Sequence, residues 1–151
     1  MASEPSGEEE IRRLLAAYQQ YEAQAQAIVR ELGLVQMTMQ GLDAAVKAVE
    51  AMESAQEGQD ILVPIGSGSF AHAKLASKER VLLNVGAGIT IEKNTAEAKE
   101  SLTARKADVT AGSKKLSDAL ARVDQEMQKI QAVLSKYEEQ AGGAGSEGFV
   151  Q

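Results

Sequence analysis

The chain has 151 residues and is 44% hydrophobic, yet it carries only three Tyr, two Phe and no Trp or Cys. The length suits one domain, but so few aromatics are poor material for a thick core, and the 25 alanines, with Glu, Lys, Gln and Leu, suit long helices that bury a narrow stripe. The lack of Cys excludes disulfides and thiolate metal sites, a single histidine, His72, excludes a His-based zinc cluster, and a net charge of −6 argues against non-specific nucleic-acid binding.

Residues 1–7 are acidic and polar and read as a flexible start, not a signal peptide. No apolar run approaches the roughly 20 residues that span a bilayer, so the expectation is a soluble cytoplasmic protein with no membrane partner. A helix follows over 8–56, where Ser6 and Glu9 fit a capping box. Its apolar residues are Ile11, Leu14, Tyr18, Tyr21, Ala25, Ile28, Leu32, Val35, Met39, Leu42, Val46 and Val49. Those steps alternate three and four, the mark of a coiled-coil seam. Glu8–Arg12, Glu9–Arg13 and Asp43–Lys47 add i,i+4 pairs along the helix.

Residues 60–92 switch to strand character. Ile61–Ile65 runs into Gly66-Ser67-Gly68-Ser69 and returns over 70–76; Val81–Val85 runs into Gly86-Ala87-Gly88 and returns over 89–91. Each reads as a hairpin around a Gly-containing turn of about three residues. Pro64 cannot donate to a ladder and belongs on an edge or at a bulge. Two hairpins cannot bury their apolar faces alone. Leu62, Val63, Ile65, Phe70, Val81, Leu83, Val85, Ile89 and Ile91 therefore point to oligomerisation through the sheets.

Asn94, with Glu97 three residues on, opens a second helix over 94–140. Its seam is Leu102, Lys106, Val109, Ser113, Leu116, Leu120, Val123, Met127, Ile130, Leu134 and Tyr137, with Lys106 and Ser113 as polar members. The Gly-rich residues 141–151 read as a flexible tail. Folding the helices back on each other with Ile11 opposite Tyr137 aligns both free ends and centres the turn near Lys74; a shift of one heptad competes. The fold class is α+β, a long antiparallel helical coiled-coil hairpin with two β-hairpins at the connecting end. From Ile11 to Val49 the first helix spans roughly 57 Å.

Gly66-Ser67-Gly68-Ser69-Phe70-Ala71 formally matches a dinucleotide fingerprint, but Pro64 interrupts the strand and no crossover helix follows. Hairpin turns explain both glycine pairs better, and no phosphate-binding GxxxxGK[ST] motif occurs. Nothing suggests a catalytic group, a metal or a cofactor, so an enzyme is not expected. At the free ends Leu15 and Val133 join the seam residues Ile11, Leu14, Tyr18, Ile130, Leu134 and Tyr137. That widened apolar surface is either extra helix packing or a place to hold other polypeptides.

A heptad helix, two Gly-turn hairpins and a returning heptad helix resemble the α-type prefoldin subunit. The strongest stretches are Leu62–Phe70 and Val81–Lys93, the latter running straight into Thr95-Ala96-Glu97-Ala98. Two hairpins are similar to the α class, and the short chain looks archaeal. The resemblance covers residues 8–140. It implies a hexamer of two α and four β-type subunits joined through β-barrels. It also implies an ATP-independent chaperone whose coiled-coil tips, here Ile11–Tyr18 and Ile130–Tyr137, capture unfolded polypeptides and pass them to a group II chaperonin. A coiled-coil scaffold or adaptor that oligomerises through its sheets is the alternative.

Overall fold

The computed structural model of the chain describes residues 6–146. Helix α1 covers Gly7–Ser54, strands β1 to β4 cover Asp60–Gly66, Ser69–Lys74, Arg80–Gly86 and Ile89–Asn94, and helix α2 covers Thr95–Ser146. The chain thus has two long helices with two small antiparallel hairpins between them. It divides into two compact units, one formed by α1 up to Leu34 with α2 from Gly112, the other by Val35–Ala111.

In the first unit the expected seam is the buried stripe. Ile28, Val123 and Ile130 are buried, and Ile11, Leu14, Tyr18, Tyr21, Leu32, Leu116, Leu120, Met127, Leu134 and Tyr137 are half-buried. A shallow cleft brings Tyr21 and Gln24 beside Ala119, Arg122, Val123 and Glu126. The Tyr137 hydroxyl donates to the Glu10 carboxylate at 2.6 Å. These contacts belong to the register that sets Ile11 opposite Tyr137.

The second unit keeps the same register. The Lys106 ammonium pairs with Asp43, Lys99 reaches Glu50 at 3.3 Å and Glu53 at 3.9 Å, and Thr110 Oγ1, whose proton goes to the Lys106 carbonyl at 2.8 Å, lies 3.6 Å from Met39 Sδ. Asp43 therefore serves the opposite helix, and not Lys47 as the i,i+4 spacing suggests, because the seam brings Lys106 to it. The polar seam position Lys106 is a paired one. Leu42, Val49, Leu83 and Leu102 form the core of this unit, flanked by Ala45, Val46, Val81 and Val109.

Element ends differ from expectation where local chemistry is finely balanced. Asn94 caps α2 as expected, its side-chain oxygen accepting from the Glu97 amide at 2.8 Å. At the start of α1 the Ser6 carbonyl accepts from the amides of Glu9 and Glu10 at 2.8 and 3.2 Å. Helix α1 closes at Ser54, whose hydroxyl turns back to the Glu50 carbonyl at 3.5 Å, two residues short of the expected 56. Helix α2 runs past Gln140 to Ser146. A glycine ends a helix by taking a left-handed φ, and among the described residues Gly142 and Gly143 do not. Residues 1–5 and 147–151, which carry the rest of the expected flexible ends, lie outside the described residues.

The hairpins are built alike. Ser67 and Gly68 (φ 51° and 74°) and Ala87 and Gly88 (φ 52° and 74°) form two-residue turns with both φ positive. That is the type I′ geometry whose twist matches a hairpin. The third residue of the expected turn belongs to the strand. Pairing skips from Pro64↔Phe70 to Gly66↔Ser69 and from Asn84↔Thr90 to Gly86↔Ile89, so Ile65 and Val85 sit in bulges. Gly66 and Gly86 complete those bulges at φ 107° and 109°, where a side chain would be strained.

Leu102→Ala, which empties a site in the Leu42–Val49–Leu83 core, should cost about 2–5 kcal/mol. Leu82→Ala, on the exposed side of β3, should change stability by less than about 0.5 kcal/mol. Chemical denaturation followed by helical circular dichroism checks both.

Candidate functional site

Two regions of exposed apolar side chains qualify as interaction sites. The first lies at the paired helix ends of the first unit. Ile11, Leu15, Leu134, Tyr137, Glu138 and Ala141 line a groove of about 210 Å³. Val133, Lys136, Tyr137 and Gln140 line a more open one beside it. Of the residues expected here, Leu15 is 46% and Val133 37% exposed, while Ile130 is buried in the seam. Ile11, Leu134 and Tyr137 are half-buried and form the floor of the first groove, while half-buried Leu14 and Tyr18 lie in the seam and line neither. The two grooves lie beside Leu15 and Val133, which sit just off the strict seam, where side chains are only partly covered by the opposite helix.

The Tyr137–Glu10 hydrogen bond is the polar clasp of this end. The carboxylate holds the phenolic proton, which raises the Tyr137 pKa above its ordinary 10.0. Lys129 is raised in the same way by its hydrogen bond to Glu126, at 2.8 Å.

The second region is the exposed apolar surface of the hairpins, which draws on both faces of the strands: Leu62 and Phe70 lie away from the helices, whereas Val63 and Ile91 share the faces of Ala71 and Leu83 and stay partly uncovered. Leu62, Val63, Ile65, Phe70, Val85, Ile89 and Ile91, all named for oligomerisation from the sequence, are exposed. Val81 and Leu83 are not among them: strand alternation turns both inward, and Leu83 is buried against the helices. Their neighbour Leu82, absent from the sequence-based set, is 74% exposed. The period-two pattern carries that signal, since Leu82 lies between two inward residues on β3. On the first hairpin Leu62↔His72 and Pro64↔Phe70 share one face, which places His72 in an apolar surface and not in a ligand set. Among the described residues no group of His, Asp or Glu could hold a metal ion, and no helix is long and apolar enough to cross a membrane.

Comparison with known proteins places this arrangement. The family profile described as "Prefoldin subunit" matches residues 21–140, so the groove residues Ile11 and Leu15, and the expected tip residues Leu14 and Tyr18, precede the matched part. The chain is 54% identical over 118 residues to the prefoldin subunit alpha of Methanothrix thermoacetophila, covering 78% of this chain and 77% of that one. It is 30% identical over 129 residues to the prefoldin subunit alpha of Methanococcoides burtonii, covering 85% and 94%. In structure it is similar to a chain of the filamentous prefoldin from Methanocaldococcus jannaschii, with a TM-score of 0.66, 23% identity, and coverage of 78% of this chain and 97% of that one.

Replacing Glu10 by Gln should lower the Tyr137 midpoint towards 10.0, because the charged acceptor that favours the protonated phenol is lost. The sign is that of a raised acid. The clasp contributes fully below the ordinary tyrosine pKa and is lost as pH rises through the raised value. Tyrosinate absorbance in a Tyr18→Phe/Tyr21→Phe background reads this directly; an unchanged midpoint would mean that the hydrogen bond does not persist in solution. The heptad seam, the doubled hairpin and these relatives together show that the chain belongs to the prefoldin family of chaperone subunits.

Proposed function

We propose that this chain is the α-type subunit of an ATP-independent holdase, which captures unfolded polypeptides at its paired helix ends. The observation that carries this reading is the groove beside Leu15, adjoined by a second one at Val133. It is apolar, open to solvent and shallow, and it takes exposed hydrophobic segments without demanding one shape. The hairpins supply the means of assembly. Each has two unpaired edges and exposed apolar side chains, and each is completed by hairpins of neighbouring subunits. The partners are β-type prefoldin subunits, in a hexamer of two α and four β. Captured chains pass to a group II chaperonin in the cytoplasm. No catalytic step and no cofactor takes part. Several weak grooves in one assembly supply avidity that a single groove lacks.

Mixed with a β-type subunit, the wild-type chain should suppress aggregation of a chemically denatured protein without ATP. Leu15→Glu/Val133→Glu should lose most of that activity while the native mass of the assembly stays the same. If the double variant protects as well as wild type, the groove assignment is wrong. A scaffold would instead bind one folded partner and leave denatured chains to aggregate. Leu82→Asp/Ile89→Asp should shift native mass towards smaller species, and an unchanged mass would count against assembly through the hairpins.

A further inference from the structure

The two hairpins share a turn, a bulge and a strand length, yet they meet the helices differently. In the β3–β4 hairpin Leu83 is buried with Leu42, Val49 and Leu102. The Arg105 guanidinium of α2 donates to the Asn84 carbonyl at 2.8 Å, on the residue just before the bulge. Lys93 Nζ donates to Ser101 Oγ at 3.1 Å. The Thr95 amide, the first of α2, donates to the Glu79 carbonyl at 2.9 Å, so β4 enters the helix with no linker. Asn84 also steadies the bulge itself, its side-chain oxygen accepting from the Gly86 amide at 2.8 Å.

The β1–β2 hairpin has none of these polar braces. Pro64 stands where Asn84 stands in its counterpart. Its one ion pair, Lys74–Asp60 at 3.0 Å, lies within the hairpin. Its ladder continues only as Gly58 N to Leu75 O at 2.7 Å and Leu75 N to Gln59 O at 2.9 Å. Among the described residues no hydrogen bond ties β1 or β2 to either helix. The link from α1 passes through Gly58 at φ 81°, and the link to β3 is the stretch 75–79. Apart from buried Leu75, the hairpin has only half-buried Ile61, Ala71 and Ala73 to hold it.

We infer that Arg105 fixes the second hairpin in its working orientation before assembly, whereas the first hairpin takes its orientation from the subunit that pairs with it. An isolated two-stranded hairpin is marginal in water, and a surface that is already ordered avoids part of the ordering cost on association. The braced hairpin therefore docks first, and the unbraced one adjusts to whichever edge that docking brings near. Arg105 is a positioning residue: it acts on the interface through the Asn84 carbonyl and touches no partner itself.

Amide hydrogen exchange, resolved to hairpin peptides, tests this on the full chain. In the chain alone, residues 60–74 should exchange about tenfold faster than 80–94. Arg105→Ala, by removing a bond to a charged donor, should speed exchange in 80–94 about five- to tenfold and leave 60–74 unchanged. Arg105→Lys, still a donor, should keep part of the protection. Assembly with a β-type subunit should slow 60–74 more than 80–94. Equal rates for the two hairpins in the free wild-type chain would overturn the inference, as would an Arg105→Ala chain whose 80–94 exchange is unaltered. If Arg105→Ala loses its helical signal, the wild-type comparison and Arg105→Lys still decide. The assembly arm rests on the proposed oligomer, but the measurements on the chain alone do not, so the two can fail separately.

Discussion

The constraint on which the structure depends is the narrowness of the heptad seam. Two helices that meet along steps of three and four bury one stripe each and turn their remaining faces to solvent. Apart from fully covered Ala98, the deepest side chains are Ile28, Leu42, Val49, Leu102, Val123 and Ile130, and all of these keep some exposure. A stripe of this kind holds two helices together but offers no second layer for a sheet to cover. Only Leu83 and Val81 of the second hairpin and the inner residues of the first find cover there. Leu62, Ile65, Phe70, Leu82 and Ile89 are left mostly uncovered within the chain. In this fold, unsatisfied sheets are the direct consequence of a helical core one stripe wide.

The charged pairs that flank the seam look as though they set its register, but their spacing says otherwise. Asp43 and Glu50 lie seven residues apart on α1, as do Lys99 and Lys106 on α2. A slip of one heptad keeps one such pair and loses the other, since Glu50 would then face Lys106 while Asp43 faced Ser113. Exposed pairs of this sort contribute at most about 1 kcal/mol each, so the loss of one discriminates only weakly between registers. What cannot slip is the chain entering α2 directly from β4 while Leu83 of the same hairpin is wedged among Leu42, Val49 and Leu102. That junction fixes which turn of α2 faces which turn of α1 and decides between registers that the helices alone leave open.

The same reasoning explains what was legible in the sequence. The seam was readable residue by residue, because a period of 3.5 sustained over many turns has no competing explanation, and even polar Lys106 and Ser113 fall where it requires. Hairpin existence was readable from the doubled Gly-x-Gly. The turn length was not, because Ile65-Gly66 and Val85-Gly86 serve equally as loop or bulge until the pairing is seen. Val81, Leu82 and Leu83 are three successive apolar residues, and composition cannot say which faces inward; contact with the helices decides, taking Leu83 and leaving Leu82 outside. Glycines at 142 and 143 suggested a stop, yet each costs only about 1 kcal/mol within a helix. At the helix ends, Leu15 and Val133 were identifiable as additions to the seam, but only the structure separates them from Ile130, which the seam consumes.

Shallowness at the groove is suited to the proposed task and follows from the same narrow seam. A deep pocket needs several elements converging, whereas two helix ends provide a floor of half-buried Ile11, Leu134 and Tyr137 with Leu15 at its edge, and Val133 beside the adjoining groove. Binding there removes little apolar area, and at roughly 25 cal/mol per Å² a small contact is weak by itself. In the proposed holdase, weak contact is an advantage, because the site has to release its occupant without a nucleotide to drive the release. Strength would then have to come from the number of grooves engaged at once, which in that proposal depends on the hairpins joining subunits. The uncovered sheets and the shallow groove both follow from a narrow seam, and in the proposed assembly the first would gather subunits and the second would work only once they are gathered.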